Sequence, residues 1–193
     1  MIPDSSTFNN QQLLNALERL PKPRKYWVGF SGGADSTALL QAMWESREDL
    51  AAPVNAVHFH HGLQEGADDW QQHCSHFCRE RDIPFRSERL EIKQVGRSSL
   101  EEESRNCRYR AVSRILEEGE MYLTAHHAED QAETLFLNLM RGSGVEGLAG
   151  IPILRNLDHG WVARPLLDRR RGQLEQYLLE REIDWLNDPS NAW

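Results

Sequence analysis

Two adjacent glycines separate a short apolar run from a helical pattern near the start of the chain. The apolar run occupies residues 26–30, the loop reads Ser-Gly-Gly-Ala-Asp-Ser at residues 31–36, and the helical pattern covers residues 35–45. Adjacent glycines permit backbone conformations that other residues avoid, and they let the main chain approach a ligand closely. A strand that turns at once into a helix restricts the chain to folds built from strand–helix units.

Strand and helix patterns continue to alternate after this loop. Short β-type runs predict strands at residues 54–59, 85–92 and 121–125, and helical patterns occupy residues 67–81, 100–118, 129–140 and 169–180. In helix 129–140, one helix face carries Ala132, Leu135, Phe136, Leu139 and Met140. The alternation predicts an α/β fold, a Rossmann-like parallel sheet with helices on both faces. Ligands of such sheets bind beyond the carboxyl ends of the strands.

The composition limits the class of protein. The chain has 193 residues, 39% of them hydrophobic and 27% charged, which fits one folded domain. Its formal net charge of -8 argues against a generic nucleic-acid binder that coats phosphates. No apolar run reaches the ~18–20 residues of a membrane helix, and the start of the chain is too polar for a signal peptide. Because the 3 cysteines form no Cys-x-x-Cys pair, we expect a reduced, cytoplasmic protein with no membrane partner.

The loop at residues 31–36 has the chemistry of an anion site. The helix that follows it offers unpaired N–H groups and a positive dipole end, and Ser31 and Ser36 add hydroxyl donors. Asp35 would repel a phosphate unless Mg²⁺ lies between them, so we expect Asp35 to bind Mg²⁺ through phosphates. The loop has neither the lysine of a GxxxxGK[ST] motif nor the spacing of GxGxxG. An ordinary glycine turn with Asp35 or Ser36 as the helix cap is the alternative interpretation.

The Ser-Gly-Gly-x-Asp-Ser motif resembles the pyrophosphate loop (PP-loop) of the ATP pyrophosphatase superfamily, whose fold is adenine nucleotide alpha-hydrolase-like. The resemblance implies that ATP is a co-substrate, that it is cleaved between its α- and β-phosphates, and that a carbonyl oxygen is adenylated. It assigns ATP binding to Ser31, Gly32, Gly33, Ala34, Asp35 and Ser36.

Further motifs narrow this resemblance. They lie at residues 58–63, 125–134, 141–144, 147–148, 164–167 and 188–191, and Glu101-x₃-Arg105-x₂-Arg108-Tyr109 lies on the third predicted helix. In this order and spacing, the chain from about residue 25 resembles the catalytic domain of the tRNA(Ile)-lysidine synthase family. That resemblance implies an ATP-dependent ligase that joins free L-lysine to the 2-carbon of the wobble cytidine in isoleucine tRNA with a CAU anticodon. An adenylated intermediate forms first, pyrophosphate and AMP are released, and the product is lysidine.

A carboxylate-rich segment follows the fourth predicted strand. His127, Asp130 and Glu133 are spaced i, i+3 and i+6 at a helix start, so Asp130 is one turn from each of the others. A cationic lysine needs carboxylates to orient it and its amine must lose a proton, so we assign Asp130 and Glu133 to lysine recognition or deprotonation. We expect His127 to contact phosphate or the activated base. Acids that only complement a helix N-terminus are the alternative.

Two arginines and one departure from the family pattern complete the candidate set. Arg105 and Arg108 are candidate bidentate donors to developing phosphate charge, or else solvated partners of the acids at 101–103. The family usually has two aspartates where this chain has Glu129 and Asp130, so we place the role on Asp130 and leave Glu129 unassigned. The predicted catalytic residues are Asp35, Arg105, His127, Asp130 and Glu133.

The second predicted helix invites a metal interpretation. Cys74 and Cys78 share one helix face, with His73 and His76 beside them, and Cys107 lies on the next helix. A structural zinc site normally draws paired ligands from two elements, and cysteines are commonly buried as small hydrophobic residues. We therefore expect no metal at this cluster.

In this interpretation the chain has a helical extension at residues 1–24 and a PP-loop catalytic domain at residues 25–193. Many family members continue past the motif at 188–191 into domains that bind tRNA, so we expect this chain to be the catalytic fragment of a longer protein. The negative net charge agrees with this expectation, because the remaining part of the longer protein would supply most of the RNA affinity. A homodimer is left open. The alternatives are another PP-loop tRNA-modifying enzyme, such as a thiolase, and a nucleotide-binding module without catalysis.

Overall fold

Alternating strands and helices build one mixed sheet in the computed structural model of the protein. The structure describes residues 7–60, 67–90, 100–142 and 149–187. The sequence motif at 188–191, parts of the motifs at 58–63 and 141–148, and the end of the predicted strand at 85–92 lie outside the described residues.

Six helices and six strands occupy the described part of the chain. The helices are Asn10–Leu17 (α1), Ala34–Glu45 (α2), Ala67–Glu80 (α3), Leu100–Ile115 (α4), Ala128–Met140 (α5) and Arg171–Leu179 (α6). The strands are Tyr26–Gly29 (β1), Val54–His60 (β2), Phe85–Arg89 (β3), Met121–Leu123 (β4), Leu154–Leu157 (β5) and Gly160–Ala163 (β6). Their order is β3-β2-β1-β4-β6-β5, and every neighbouring pair is parallel except β5 with β6. The predicted Rossmann-like parallel sheet is confirmed, with one antiparallel edge strand added.

Helices cover both faces of the sheet, as predicted. On one face, α1, α2, α3 and α6 pack in a single core that includes Leu13, Leu39, Phe77 and Tyr177. On the other face, α4 packs Val112 and its neighbours against the strands. The strands β1 and β4 in the middle of the sheet are short apolar runs, as expected for parallel strands that are covered on both faces.

The strand order reverses next to β1. The chain passes from β1 outward to β2 and β3, and then returns to place β4 on the opposite side of β1. Tyr26 pairs with Met121 and Val28 pairs with Leu123, so β1 and β4 end side by side. A crevice forms at such a switch point beyond the carboxyl ends of the strands. The loop after β1 and the loop after β4 therefore face each other.

The β5–β6 hairpin was not predicted from the sequence. Its first strand reads Leu-Arg-Asn-Leu and lacks the apolar run that indicates β1 and β4, so no β-type pattern leads into the hairpin. Leu157 pairs with Gly160 across the turn, and β6 adds to the sheet beside β4. A Cβ at Gly160 would collide with the main-chain oxygen of Glu120, so glycine permits the close approach of these strands.

The apolar face of α5 does not join the core. The helix itself was predicted, but Phe136, Leu139 and Met140 are 62%, 59% and 72% exposed. The first turn of α5 instead makes the attachment, where the Ala128 N–H donates to the Arg169 oxygen at 2.7 Å. Although this face is apolar, no helix in the described ranges is both long and apolar enough to cross a membrane.

The N-terminal helix α1 packs on the same core as α2 and α6. Leu13 and Leu17 are buried there, and the Asn10 side chain donates to Glu45 Oε2 at 2.7 Å. An asparagine cap at Asn9 begins the helix by accepting the Gln12 N–H at 3.0 Å. The division of the chain at residue 24 stays a prediction.

Candidate active site

The loop of residues 31–36 turns sharply at the carboxyl end of β1. Gly32 has a φ of +86°, a left-handed conformation that favours glycine. A Cβ at this position would lie 3.0 Å from the Leu186 side chain and 3.2 Å from Cys74 Sγ. Both the backbone conformation and the available space therefore require glycine at position 32.

Main-chain and hydroxyl donors converge inside this loop. Ser31 Oγ and Ser36 Oγ are 3.0 Å apart, and the Ser31 N–H donates to Ser36 Oγ at 3.2 Å. The Gly33 N–H points toward Ser31 Oγ at 3.4 Å, which is long for a hydrogen bond. Gly33 also caps α2, so the unpaired N–H groups of the first helical turn lie beside the hydroxyls. This is the arrangement of donors that binds phosphate at a helix N-terminus.

A histidine at the carboxyl end of β4 meets three carboxylates. His127 is only 7% exposed and immediately precedes α5. Its Nε2 lies 3.6 Å from Asp35 Oδ2 and 3.6 Å from Asp130 Oδ2. Its Nδ1 lies 3.0 Å from Glu129 Oε2, as an ion-pair contact. Because Asp35 is in the first turn of α2, His127 joins the loop after β1 to the loop after β4.

These carboxylates determine the charge of His127. Burial acts to lower the pKa of His127, but Asp35, Asp130 and Glu129 together outweigh it and raise this pKa above its usual value. His127 is therefore protonated over a wider pH range than a free histidine. Burial acts in the opposite direction on Glu129, whose pKa is nevertheless lowered by the Arg171 N–H and by His127.

Asp130 and Glu129 also stabilise helix ends. Asp130 Oδ2 accepts the His127 N–H at 2.8 Å, and Glu129 Oε2 accepts the Arg171 N–H at 3.0 Å at the start of α6. These bonds match the alternative left open by the sequence, that acids complement helix N-termini. The same bonds hold both carboxylates against His127. The contact of Glu129 with the start of α6 joins residues that are 42 positions apart, so no local sequence pattern indicates it.

The neighbouring residue His126 lies in a different environment. Burial lowers the pKa of His126 to about 4, and the positive charges of Arg164 and Arg108 add to this effect, while Asp130 opposes it. His126 is therefore neutral at pH 7. Arg164 is 4% exposed, and its Nη1 donates to the Pro152 oxygen at 2.8 Å. No local pattern in the sequence indicates that this guanidinium is buried and acts on His126.

Glu133 and Arg105 lie on the surface. Glu133 is exposed on α5 and Arg105 is exposed on α4. Within the described part of the chain, neither makes an ion pair with the residues around His127. Of the predicted catalytic residues, the structure brings together Asp35, His127 and Asp130. The roles of Glu133 and Arg105 stay predictions.

The cysteines of α3 belong to the core. Cys74 and Cys78 are fully buried, and burial raises the pKa of each thiol to about 12, so both stay protonated. Their neighbour His76 is exposed and pairs with Glu80 at 3.1 Å. Cys107 is buried on the opposite face of the sheet. Across the described ranges, no group of three or more His, Cys, Asp or Glu side chains is placed to hold a metal by itself.

Asp35 nevertheless has a carboxylate oxygen that could bind a cation held by phosphate. Its Oδ2 faces His127, whereas its Oδ1 is buried without a hydrogen-bond partner among the described residues. Mg²⁺ commonly binds one or two protein carboxylates and completes its shell with phosphate oxygens and water. The residues present therefore fit Mg²⁺ at the edge of the phosphate loop.

Comparison with known proteins agrees with this geometry. A protein-family model described as a PP-loop domain matches residues 5–193. The match covers both the loop of residues 31–36 and the segment around His127.

Several curated relatives are tRNA(Ile)-lysidine synthases. The protein of Pseudomonas aeruginosa is 45% identical over 181 residues, covering 93% of this chain and 40% of the relative. The Histophilus somni protein is 41% identical (94% of this chain, 42% of the relative), and the Coxiella burnetii protein is 37% identical (95% and 41%). The chain thus spans about two fifths of the length of these relatives.

Two solved structures share the fold. A U34-tRNA thiolase from Methanococcus maripaludis, with its 4Fe-4S cluster, has a TM-score of 0.75 and 17% identity, and the match covers 93% of this chain and 65% of that one. A phosphoadenylyl-sulfate reductase from Candida auris has a TM-score of 0.51 and 12% identity, covering 94% and 84%. At such low identity these likenesses show the fold alone.

Proposed function

The chain belongs to the PP-loop family of ATP-binding domains, and from this membership we propose that it is the catalytic part of a tRNA(Ile)-lysidine synthase. One observation carries the proposal. Asp35 of the phosphate loop and Asp130 of the acidic segment both lie 3.6 Å from His127 Nε2. A phosphate site and an amine-binding site that share one histidine suit an enzyme that activates a carbonyl oxygen with ATP and then attacks it with an amine.

The first chemical step breaks a bond within ATP. The 2-carbonyl oxygen of the wobble cytidine attacks the α-phosphorus, and the electron pair of the α–β bridge leaves with pyrophosphate. The charge that develops on pyrophosphate falls where the N–H groups of α2 and the Ser31 and Ser36 hydroxyls converge. The N–H groups at the start of α2 are held in place by the helix, so they stabilise this charge in the transition state without having to reorient.

The two carboxylate oxygens of Asp35 have different roles in this step. Its Oδ1 is the oxygen offered to Mg²⁺, which would neutralise phosphate charge when it is bound. Its Oδ2 faces His127 and favours the imidazolium form. A cationic His127 at this position is a donor to the α-phosphate or to the activated base.

The second step joins lysine to the activated cytidine. The lysine ε-amine attacks the 2-carbon, AMP leaves with the former carbonyl oxygen, and the amine loses a proton. We assign Asp130, and with it Glu133 one turn further along α5, to binding the lysine ammonium groups or accepting that proton. Arg105 and Arg108 on α4 are the proposed donors to phosphate charge.

Isoleucine tRNA with a CAU anticodon and free L-lysine are the proposed substrates. The net charge of -8 suits a catalytic part whose RNA affinity comes from elsewhere in a longer protein. A homodimer and a cytoplasmic location remain predictions. A thiolase activity is not favoured, because the chain has no Cys-x-x-Cys pair, and a module without catalysis does not explain the carboxylates around His127.

An incorporation assay tests the proposal. A protein that covers the length of the relatives is incubated with ATP, Mg²⁺, labelled lysine and isoleucine tRNA, and labelled tRNA is counted. We expect incorporation that depends on ATP, and a loss of about 100-fold or more in Asp130→Asn, the range for removal of a general base. Asp69→Asn, an exposed acid on α3, is the matched control and should retain activity. Sulfur transfer instead of lysine incorporation, or ATP binding with no turnover, would contradict the proposal.

A further inference from the structure

The segment that follows α6 crosses over the phosphate loop. Residues 183–187 have no regular secondary structure, and the Leu186 N–H donates to the Gly32 oxygen at 2.9 Å. Ile183 and Trp185 pack against the core, which fixes the approach of the segment. A part of the chain that is remote in sequence therefore holds the main chain of the loop.

This hydrogen bond sets the direction of the peptide between Gly32 and Gly33. In a trans peptide the C=O and the N–H point in opposite directions. Because the Gly32 C=O is held toward Leu186, the Gly33 N–H points to the other side, toward Ser31 Oγ at 3.4 Å. A contact of that length leaves the N–H available for a stronger acceptor, such as a charged phosphate oxygen.

The loop needs a restraint of this kind because both residues of the peptide are glycines. Glycine adopts many backbone conformations, so a free Gly-Gly peptide would lose entropy on binding a phosphate. Gly32 is instead closely packed by side chains from two other segments of the chain. A Cβ at Gly32 would lie 3.0 Å from Leu186 Cδ1, and 3.2 and 3.6 Å from the α3 residues Cys74 and His73.

We propose that Leu186 is a positioning residue for phosphate binding, whose main-chain N–H holds the Gly32 carbonyl so that the Gly33 N–H is aimed at the terminal phosphates of ATP. The inference rests on the proposed function and adds to it a residue outside the loop motif. It acts through one peptide, so its loss weakens the binding of ligands that carry a pyrophosphate group and spares AMP.

Proline substitution removes the donor. In the full protein, Leu186→Pro should raise the Kd for ATP with Mg²⁺, and for pyrophosphate, by about 10- to 100-fold, the range for one hydrogen bond to a charged group. The Kd for AMP should stay within about 3-fold. Leu186→Ala keeps the N–H and should bind ATP nearly as wild type does. Leu186→Ala is therefore the matched control for the loss of the main-chain N–H.

Three results would overturn the inference. These are Leu186→Pro binding ATP as wild type does, an equal loss for AMP, and an equal loss in Leu186→Ala, which keeps the N–H. If Leu186→Pro does not fold, amide hydrogen exchange of the wild type is measured instead. Bound ATP should slow exchange at the Leu186 N–H, because the coupling between phosphate binding and this hydrogen bond is reciprocal. Unchanged exchange would refute the role. A wild type that binds neither ATP nor pyrophosphate would overturn the proposed function itself, which separates the two failures.

Discussion

Glu45, at the end of α2, connects three helices through its carboxylate. It accepts hydrogen bonds from Asn10 on α1 at 2.7 Å, from Tyr177 Oη on α6 at 3.0 Å, and from Arg181 Nε after α6 at 2.8 Å. Because α2 carries the phosphate loop at its other end, the stability of this junction supports the site. We expect Glu45→Gln to make the stability of the protein lower and less dependent on pH.

The magnitude follows from the pKa of the carboxyl. Burial acts to raise this pKa, but the hydrogen bonds from Arg181, Gln41, Asn10 and Tyr177 lower it from 4.5 to about 2. At about 1.4 kcal/mol per unit, the ionised carboxylate stabilises the folded state by at most about 3 kcal/mol at pH 7. Since the side chain is 22% exposed, solvent screening reduces the expected contribution to about 2 kcal/mol.

The sign of the pH dependence is fixed by the lowered pKa. The contribution is complete above the unfolded-state pKa of 4.5 and disappears as the pH falls toward the folded-state value of about 2. The difference in unfolding free energy between wild type and Glu45→Gln should therefore be largest at neutral pH and smaller in acid.

Urea unfolding at several pH values measures this difference, and NMR titration of the Glu45 carboxyl gives the folded-state pKa directly. Glu80→Gln is the control, because that side chain is 55% exposed and should change stability by less than about 0.5 kcal/mol. A Glu45→Gln protein as stable as wild type at pH 7, or a Glu45 carboxyl that titrates near 4.5, would refute the reasoning.

Other predictions concern the site and the core. Asp35→Asn should reduce tRNA-dependent release of AMP by about 100-fold or more with an unchanged circular dichroism spectrum, because Mg²⁺ would no longer be held where it balances the phosphate charge. Near-normal release would show that Asp35 does not hold the cation. The pKa of His127, followed by NMR, should lie above its usual 6.5 and fall in Asp35→Asn; an equal pKa in both proteins would show that Asp35 does not govern His127. Cys74 and Cys78 should resist thiol reagents in the native protein and react after unfolding, since burial raises the pKa of both thiols to about 12; rapid labelling of the folded protein would contradict their core position.

The order of the elements was readable from the sequence because it depends on local patterns. Apolar runs marked the parallel strands β1, β2 and β4, and the glycine pair marked the turn into α2. The left-handed conformation of Gly32 requires glycine, which is why the glycine pair indicated a sharp turn at this position. Helix ends were less accurate: α4 was predicted to residue 118 and ends at Ile115, and α6 begins at Arg171 rather than at 169.

Features set by tertiary contacts could not be predicted in this way. The β5–β6 hairpin has strands of 4 residues whose pairing depends on β4 being present beside them. The apolar spacing of α5 indicated a helix face but not its surroundings, and Phe136 is exposed. Glu129 reaches both His127 and the start of α6, and Leu186 reaches Gly32, through contacts between segments far apart in the chain.

The central claim is that the loop after β1 binds the pyrophosphate half of ATP beside His127. A crystal structure of the protein with Mg²⁺ and an ATP analogue that cannot be cleaved between the α- and β-phosphates tests it directly. We predict the β- and γ-phosphates within hydrogen-bond distance of the Gly33 N–H and the Ser31 and Ser36 hydroxyls, with the α-phosphate toward His127. Terminal phosphates bound elsewhere, or a loop that stays closed on itself with the Gly33 N–H still directed at Ser31, would contradict the account.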